Sequence, residues 1–289
     1  EFRRVLFRSL SSGLLLLIAH TVVRTQAPYA DPILLPVAAL LNMLGLAMIH
    51  RLDVAGEQRA LANGSPKPTP DVYAQITWMA LGLILFMITL TVLRDHRRLQ
   101  RRTFIFGALG IVLLFLPVLP VIGTEINGAR LWIEIGTLSF QPGELAKITL
   151  AIFFAGYLVA HRHTLSLVQN KIGNLPLPRT KDVGPLVLIW ILALLVLIGE
   201  RDLGTSLLIF GLFIVLLYVA TGRRAWVGIA TLLLILGGVL AYFAFGHVRV
   251  RFDVWLDPFS QATGRGYQIV QSMFGLANGG IFGTGWGLG

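Results

Sequence analysis

The sequence contains no cysteine, which excludes disulfides and thiolate metal sites. Charge is also scarce: Asp, Glu, Lys and Arg make up 13% of the 289 residues, against 55% apolar. A soluble domain of this length needs a charged coat. This chain has too little charge to form one, so most of its surface must face lipid. Acid is scarcer than base, 14 residues against 24, for a net charge of +10. In a soluble protein that balance would raise nucleic acid as a partner. Here no basic stripe is interleaved with exposed aromatics, which argues for no nucleic acid. Arginines in the loops of a membrane protein instead set its orientation and meet membrane lipid of negative charge. No repeat of solenoid period is visible, and low complexity is limited to Leu-rich runs and a glycine-rich end.

There is no initiator Met, and residues 1–9 (EFRRVLFRS) fit neither a signal peptide nor a span. The apolar run 10–23 falls short of the ~20 residues a spanning helix needs. The last residue, Gly289, stands inside a glycine-rich loop. The expectation is a piece of a longer protein: a truncated N-terminal segment with a partial transmembrane helix over 1–32, then a membrane domain over 33–289 that is incomplete at its C-terminus.

Apolar runs occupy 33–50, 73–93, 103–123, 142–160, 184–199, 203–220 and 226–246, each near the length of a bilayer-spanning helix. The runs 184–199 and 203–220 are separated only by Glu200, Arg201 and Asp202, which predicts a tight transmembrane hairpin. The stretch 94–102 is the densest basic loop and belongs in the cytoplasm. Alternation then puts 161–183, with Arg162, Lys171, Arg179 and Lys181, and 221–225, with Arg223 and Arg224, on the same side. The segments 51–72, 124–141, 200–202 and 247–289 fall outside. The first of these reads as a plain connector. The others carry Arg130, Arg201, Arg249, Arg251 and Arg265 against the usual rule. Either an anionic ligand explains them, or they pair with Glu125, Glu134, Asp202, Asp253 and Asp257 or with lipid phosphates. The predicted fold class is all-α: a polytopic transmembrane helix bundle with interfacial helices in a long extracytoplasmic loop.

Three constellations on the outer side carry chemistry. In the first, Arg130 and Trp132 precede Gln141-Pro142-Gly143-Glu144-Leu145-Ala146-Lys147. Pro142 suits a first helical turn, and Gln141, Glu144 and Lys147, spaced by three, share a face. Lys147 would lie about 8 Å past the helix start, where an ionisable group must face protein or water. A Glu144–Lys147 pair that merely neutralises itself is the plain alternative. In the second, Asp202 is placed to cap the helix after it. In the third, Phe252, Trp255, Leu256 and Phe259 follow helical spacing and predict a short interfacial helix. Gln268 and Gln271 then share a face, ahead of glycines that let backbone approach closely. No lysine follows those glycines and no strand precedes them, so they do not form a phosphate loop.

NGARLWIEIGTLSFQPGELAK, ERDLGTSLL and RFDVWLDPF…GYQIVQSMFGLANGGIFGTGWG together resemble the SEDS family of cell-wall glycan polymerases, the family of RodA and FtsW. The likeness covers about 33–289, and the long N-terminal region is similar to actinobacterial members. Three motifs stand in the right order on one side of the membrane. The departures are Glu200-Arg201 where the family usually has Gln-Pro, and Gly143 where it often has Ser or Ala. The family's catalytic carboxylate lies in a His-Thr-Asp-type motif just past the glycine run, so the expected Asp falls beyond Gly289. Asp257 matches a less essential position.

The resemblance implies a multi-pass protein of the bacterial cytoplasmic membrane that polymerises undecaprenyl-linked lipid II into peptidoglycan, in cell elongation or division. Glycosyl transfer from a diphosphate would be helped by a base for the acceptor hydroxyl and by cations for the leaving group. Arg130 and Lys147, then Arg251, are candidates for the cations. Glu144 would orient Lys147, and Gln141, Gln268 and Gln271 would hold polar parts of the substrate. Asp202 completes the candidate substrate-binding set. A divalent metal such as Mg2+ or Mn2+ would assist at the diphosphate, but the sequence shows no metal-ligand cluster. A class B penicillin-binding protein transpeptidase is the implied partner. A flippase for lipid-linked precursors, or a non-catalytic scaffold for that partner, are the other functions these features serve.

Overall fold

The computed structural model describes residues 2–93, 95, 97–120, 122–126, 129–136, 138–162, 165, 170–172, 175–177 and 180–285. Each of the seven apolar runs has its helix: α2 (Leu34–Ala62), α3 (Asp71–Val92), α5 (Thr103–Phe115), α6 (Pro142–Ala160), α7 (Thr180–Gly199), α8 (Leu203–Thr221) and α9 (Ala225–Ala244). Helix α1 (Phe2–Gln26) precedes them, a single turn α4 (Arg97–Gln100) lies in the basic loop, and α10 (Gly246–Leu256) and α11 (Tyr267–Gly279) follow. Among the described residues five helices, α2, α3, α6, α8 and α9, are long and apolar enough to cross a membrane, and the apolar parts of α5 and α7 are shorter. Leu232, Leu233, Leu234, Ile235 and Leu236 on α9 are all exposed. A full turn of bare aliphatic side chains is stable only against lipid.

The chain is predominantly helical, but the outer segment after α5 is not. It forms a three-stranded antiparallel meander, β1 (Gly123–Ile126), β2 (Ala129–Ile135) and β3 (Leu138–Phe140), with β2 central. The alternation in Arg130-Leu131-Trp132-Ile133-Glu134 explains it: Ile133 is buried while Arg130 and Glu134 are exposed, the period of a half-buried strand. Gly123 sits so close to the 3-10 turn Leu116–Val118 that a Cβ there would lie 1.7 Å from the Pro117 carbonyl oxygen. Pro117 also accounts for α5 ending short of the apolar run, since its missing N–H favours the tighter turn. A short antiparallel hairpin pairs β4 (Asn170–Ile172) with β5 (Leu175–Leu177).

The segment 51–72 is not a plain connector. α2 continues through it to Ala62, because Leu, Ala, Glu, Gln and Arg there are good helix formers. Lys67 folds back to pair with Glu57. The Asp53 carboxylate accepts the backbone N–H of Asp71 and of Val72, both at 3.0 Å. It thereby caps α3, whose own N-cap residue, Pro70, offers no side chain for the purpose. At the other end of the chain, α1 is apolar over Gly13–Gln26 and packs on α3.

The core lies where α5, α6, α7 and α8 meet. Phe153 and Phe154 of α6 are fully buried. Phe154 touches Phe213 of α8 at 5.4 Å between centroids, and Phe213 stacks on Trp190 of α7 at 4.8 Å. α5 and α6 approach through glycines: a Cβ on Gly110 would come within 2.8 Å of Leu150, and one on Gly107 within 2.8 Å of Phe153. Gly110→Val should therefore destabilise the protein by about 1–3 kcal/mol through overpacking. Gly45→Val on α2, which has open space around it, should not. Equal unfolding midpoints for the two variants in detergent would show that α5 and α6 are not packed this way.

Beyond α9 no helix among the described residues is long and apolar enough to cross a membrane. Phe252, Trp255, Leu256 and Phe259 are all exposed, an aromatic face suited to the lipid interface. Gly266 is buried against the Pro258 carbonyl, where a Cβ would come within 2.4 Å, and this contact folds the segment back on itself. Thr263 and Asn278 are both exposed. In a chain without native thiols, Thr263→Cys and Asn278→Cys should both react with an impermeant maleimide applied from outside the cell. Labelling of either only after the membrane is opened would invert the topology.

Candidate functional site

The first sequence constellation is built at the junction of β3 and α6. Gln141 is extended, with φ −103° and ψ 104°, and Pro142 opens the helix. The spacing of three brings Lys147 Nζ to donate to Glu144 Oε1 at 2.7 Å. The lysine is the more sheltered partner, its side chain 23% exposed against 59% for the carboxylate. The pair forms, as both sequence readings of it required. Gln141 and Glu144 line a groove of about 820 Å³ together with Asp53, Asp71, Gln75, Trp78 and Trp132. Trp78 stacks with Phe140 at 6.1 Å and 29°. Lower down the walls are apolar, Ile49 and Leu85 among them. Aromatic faces beside amides and carboxylates suit a polyhydroxylated ligand, because rings cover C–H faces while the polar groups take hydroxyls. None of the described residues that line the groove is a cation.

Arg130 is elsewhere. A bulge between Thr124 and Glu125 sets Glu125 opposite Arg130, and Arg130 Nε donates to Glu125 Oε2 at 3.3 Å. Both side chains are exposed, so the pair contributes only about 0–1 kcal/mol. Neither Arg130 nor Lys147 lines the groove.

The hairpin turn supplies the second constellation. Asp202 caps α8 by accepting the Thr205 N–H at 3.0 Å, the role its position suggested. Arg201 has φ 64°, a left-handed conformation that costs a non-glycine residue about 1–2 kcal/mol. Glu200 is 6% exposed and its Oε1 has no partner. Burial, then the neighbouring charge of Asp202, pushes its carboxyl up to about 8.

Arg201 also lines a second outer cavity, of about 810 Å³, with Arg251 and His247 of α10 and Arg265 of the following loop. Ile198, Ala244, Phe245 and Val250 form its apolar part. Burial, then the charges of Arg201 and Arg251, holds the His247 imidazole below its ordinary value of 6.5, so it is neutral at pH 7. Among the described residues no carboxylate lies at pairing distance from Arg251 or Arg265. Arg249 lies over the Tyr242 ring, 5.4 Å from its centroid. Gln268 and Gln271 are exposed on α11 and line neither outer cavity.

Of the sequence candidates, the structure thus brings together Gln141, Glu144 and Lys147, and separately places Arg251 beside the Asp202 turn. The sequence reading missed Trp78, Gln75, Asp71 and His247. It noticed Arg201 and Arg265 only as basic residues on an unusual side. No group of three or more His, Asp or Glu able to hold a metal ion occurs among the described residues.

Glu200 gives a pH test. Its folded value is raised above the ordinary 4.5, so the stability linked to its proton is complete below about pH 4.5 and is lost as pH rises through about 8. Glu200→Gln stays neutral throughout. The native protein should lose stability relative to this variant between pH 5 and pH 8, read as detergent unfolding midpoints. A constant difference across that window would refute the buried protonated carboxyl.

Comparison with known proteins bears on the chain as a whole. The profile of the cell cycle protein family that includes FtsW, RodA and SpoVE matches residues 32–289. The peptidoglycan glycosyltransferase RodA of Mycobacterium tuberculosis (strain ATCC 25618 / H37Rv) is 46% identical over 276 residues, 94% of this chain and 57% of that protein. The protein described as "probable peptidoglycan glycosyltransferase FtsW" of the same strain is 32% identical over 262 residues, 89% of this chain and 46% of that protein. The chain therefore spans about half the length of these relatives. A solved chain, from work on the structural coordination of polymerization and crosslinking by a peptidoglycan synthase complex, is 30% identical with a TM-score of 0.51, covering 82% of this chain and 66% of that one. A profile match over most of the sequence, joined to a multi-pass helical architecture, settles the relationship: the chain belongs to the FtsW/RodA/SpoVE family of membrane proteins.

Proposed function

We propose that this chain is the membrane core of a peptidoglycan polymerase that joins lipid II units into glycan strands at the outer face of the cytoplasmic membrane. The observation that carries the reading is the outer groove. It sets amides and carboxylates beside two tryptophans above an apolar channel, the combination a sugar carried on a lipid requires. Family membership supports it, and the greater identity to RodA than to FtsW, 46% against 32%, favours the elongation branch.

In the reaction, an acceptor hydroxyl loses its proton to a base and attacks the anomeric carbon. The C–O bond to the diphosphate breaks, and the lipid diphosphate departs with the bonding pair. Gln141, Gln75 and Trp132 would hold sugar in the groove. Glu144 holds Lys147 in place through their 2.7 Å contact, and Lys147 would donate to an oxygen of the substrate at the groove's edge. By family resemblance, the base would be an Asp carboxylate. A class B penicillin-binding protein would crosslink the strand as it emerges; the related chain from a peptidoglycan synthase complex supports such a partnership.

Lys147→Ala in the full-length protein should lower lipid II polymerisation at least about tenfold, the size of one lost charge-assisted hydrogen bond. Its level in the membrane should not change. Glycan chains resolved on a gel are the readout. They also separate polymerisation from flipping, which produces none. Undiminished chains from the alanine variant would remove Lys147 from the site.

A further inference from the structure

The outer cations fall into two groups. Arg130, Lys147 and Arg249 each have a partner: Glu125, Glu144 and the Tyr242 ring. Arg251 and Arg265 have none among the described residues, yet they converge with Arg201 on one cavity. The His247 Nε2 atom in its wall is buried and without a hydrogen-bond partner. An unpaired buried ring nitrogen is unfavourable unless something fills the space beside it. Arg201 reaches the cavity from a left-handed backbone, strain of a kind that persists at ligand sites. Arg251 and Arg265, with no carboxylate among the described residues that line the cavity, repel one another until an anion enters, and planar guanidinium forks match phosphate oxygens. The rest of the wall is apolar and stands at the outer ends of α7 and α9, at the level of the lipid interface.

We propose that this cavity seats the phosphate groups of a lipid, with Arg201, Arg251 and Arg265 as phosphate ligands, His247 hydrogen-bonded to a phosphate oxygen, and the lipid chain against Ile198, Ala244 and Phe245. This deepens the polymerase reading and rests on it only for the identity of the lipid, which would then be the diphosphate-linked substrate or its leaving group. It transfers the diphosphate from Arg130 and Lys147, whose charges are already met, to a cavity where Arg251 and Arg265 have no carboxylate partner among the described residues.

The test is binding to the purified protein in phosphatidylcholine nanodiscs, measured calorimetrically with three probes. Farnesyl diphosphate carries both chain and phosphates, farnesol only the chain, and inorganic pyrophosphate only the phosphates. Farnesyl diphosphate should bind saturably, at least about tenfold more tightly than either other probe, and more weakly as salt is raised. Arg251→Gln with Arg265→Gln should weaken it at least about tenfold, while Arg251→Lys with Arg265→Lys, which keeps the charge, should lose less. Both arginines are exposed and unpaired, so the helical circular dichroism of the variants should match the native protein. Native-strength binding by the double glutamine variant overturns the proposal. So does pyrophosphate binding as tightly as farnesyl diphosphate, which would make the cavity a site for a soluble anion. Arginine-dependent binding in a protein that makes no glycan would leave the cavity standing and sink the polymerase. Full polymerisation with arginine-independent binding would do the reverse.

Discussion

The close contact of α5 with α6 fixes the outer half of this protein. In lipid, helices gain no water-driven burial by meeting, so their association depends on van der Waals fit between small-residue faces. Gly107 and Gly110 on α5 supply that fit against Phe153 and Leu150 of α6, and Gly156 supplies it in turn against Thr103. The meander is suspended between the outer ends of these two helices. Its first strand is pressed onto the Pro117 turn and its last runs into Gln141. The position of the groove's polar rim is therefore inherited from glycines buried within the membrane.

Much of this was legible in the sequence, for physical reasons that can be named. Seven apolar runs gave seven helices because a bilayer forces every spanning backbone to satisfy its own hydrogen bonds. The Asp202 cap and the Glu144–Lys147 contact were readable because they depend on spacings of three within one helix. The meander was less so, since its alternation lasts only a few residues before Gly136 turns the chain. For Arg130 the sequence leaves open an anionic ligand or a pair with Glu125, and what forms the pair is a bulge that no local spacing announces. The groove could not be read at all: Trp78 and Asp53 belong to helices whose sequence patterns say only that they span. The extension of α2 over 51–62 was hidden by the polarity of a segment that is helical above the bilayer.

The two outer cavities differ in sign. Among the described residues, one has Asp53, Asp71 and Glu144 on its walls and no cation; the other has Arg201, Arg251 and Arg265 and no carboxylate. A molecule with an uncharged polyhydroxyl part and a phosphorylated part would find each part suited by a different wall. Orientation could then be selected by electrostatics before any shape-specific contact forms.

The length of α2 has a consequence for access. Asp53 stands level with the start of α3, because it holds the first N–H groups of that helix. Residues 54–62 of α2 therefore rise about 13 Å above that level, at ~1.5 Å per residue. On α3 the groove descends from Asp71 to Leu85, about 21 Å on the same scale. One recess thus borders two phases, with a post on the aqueous side and an aliphatic slot on the membrane side. A polar ligand from the water and a lipid-borne one from the bilayer could occupy it from opposite directions without either leaving its own medium.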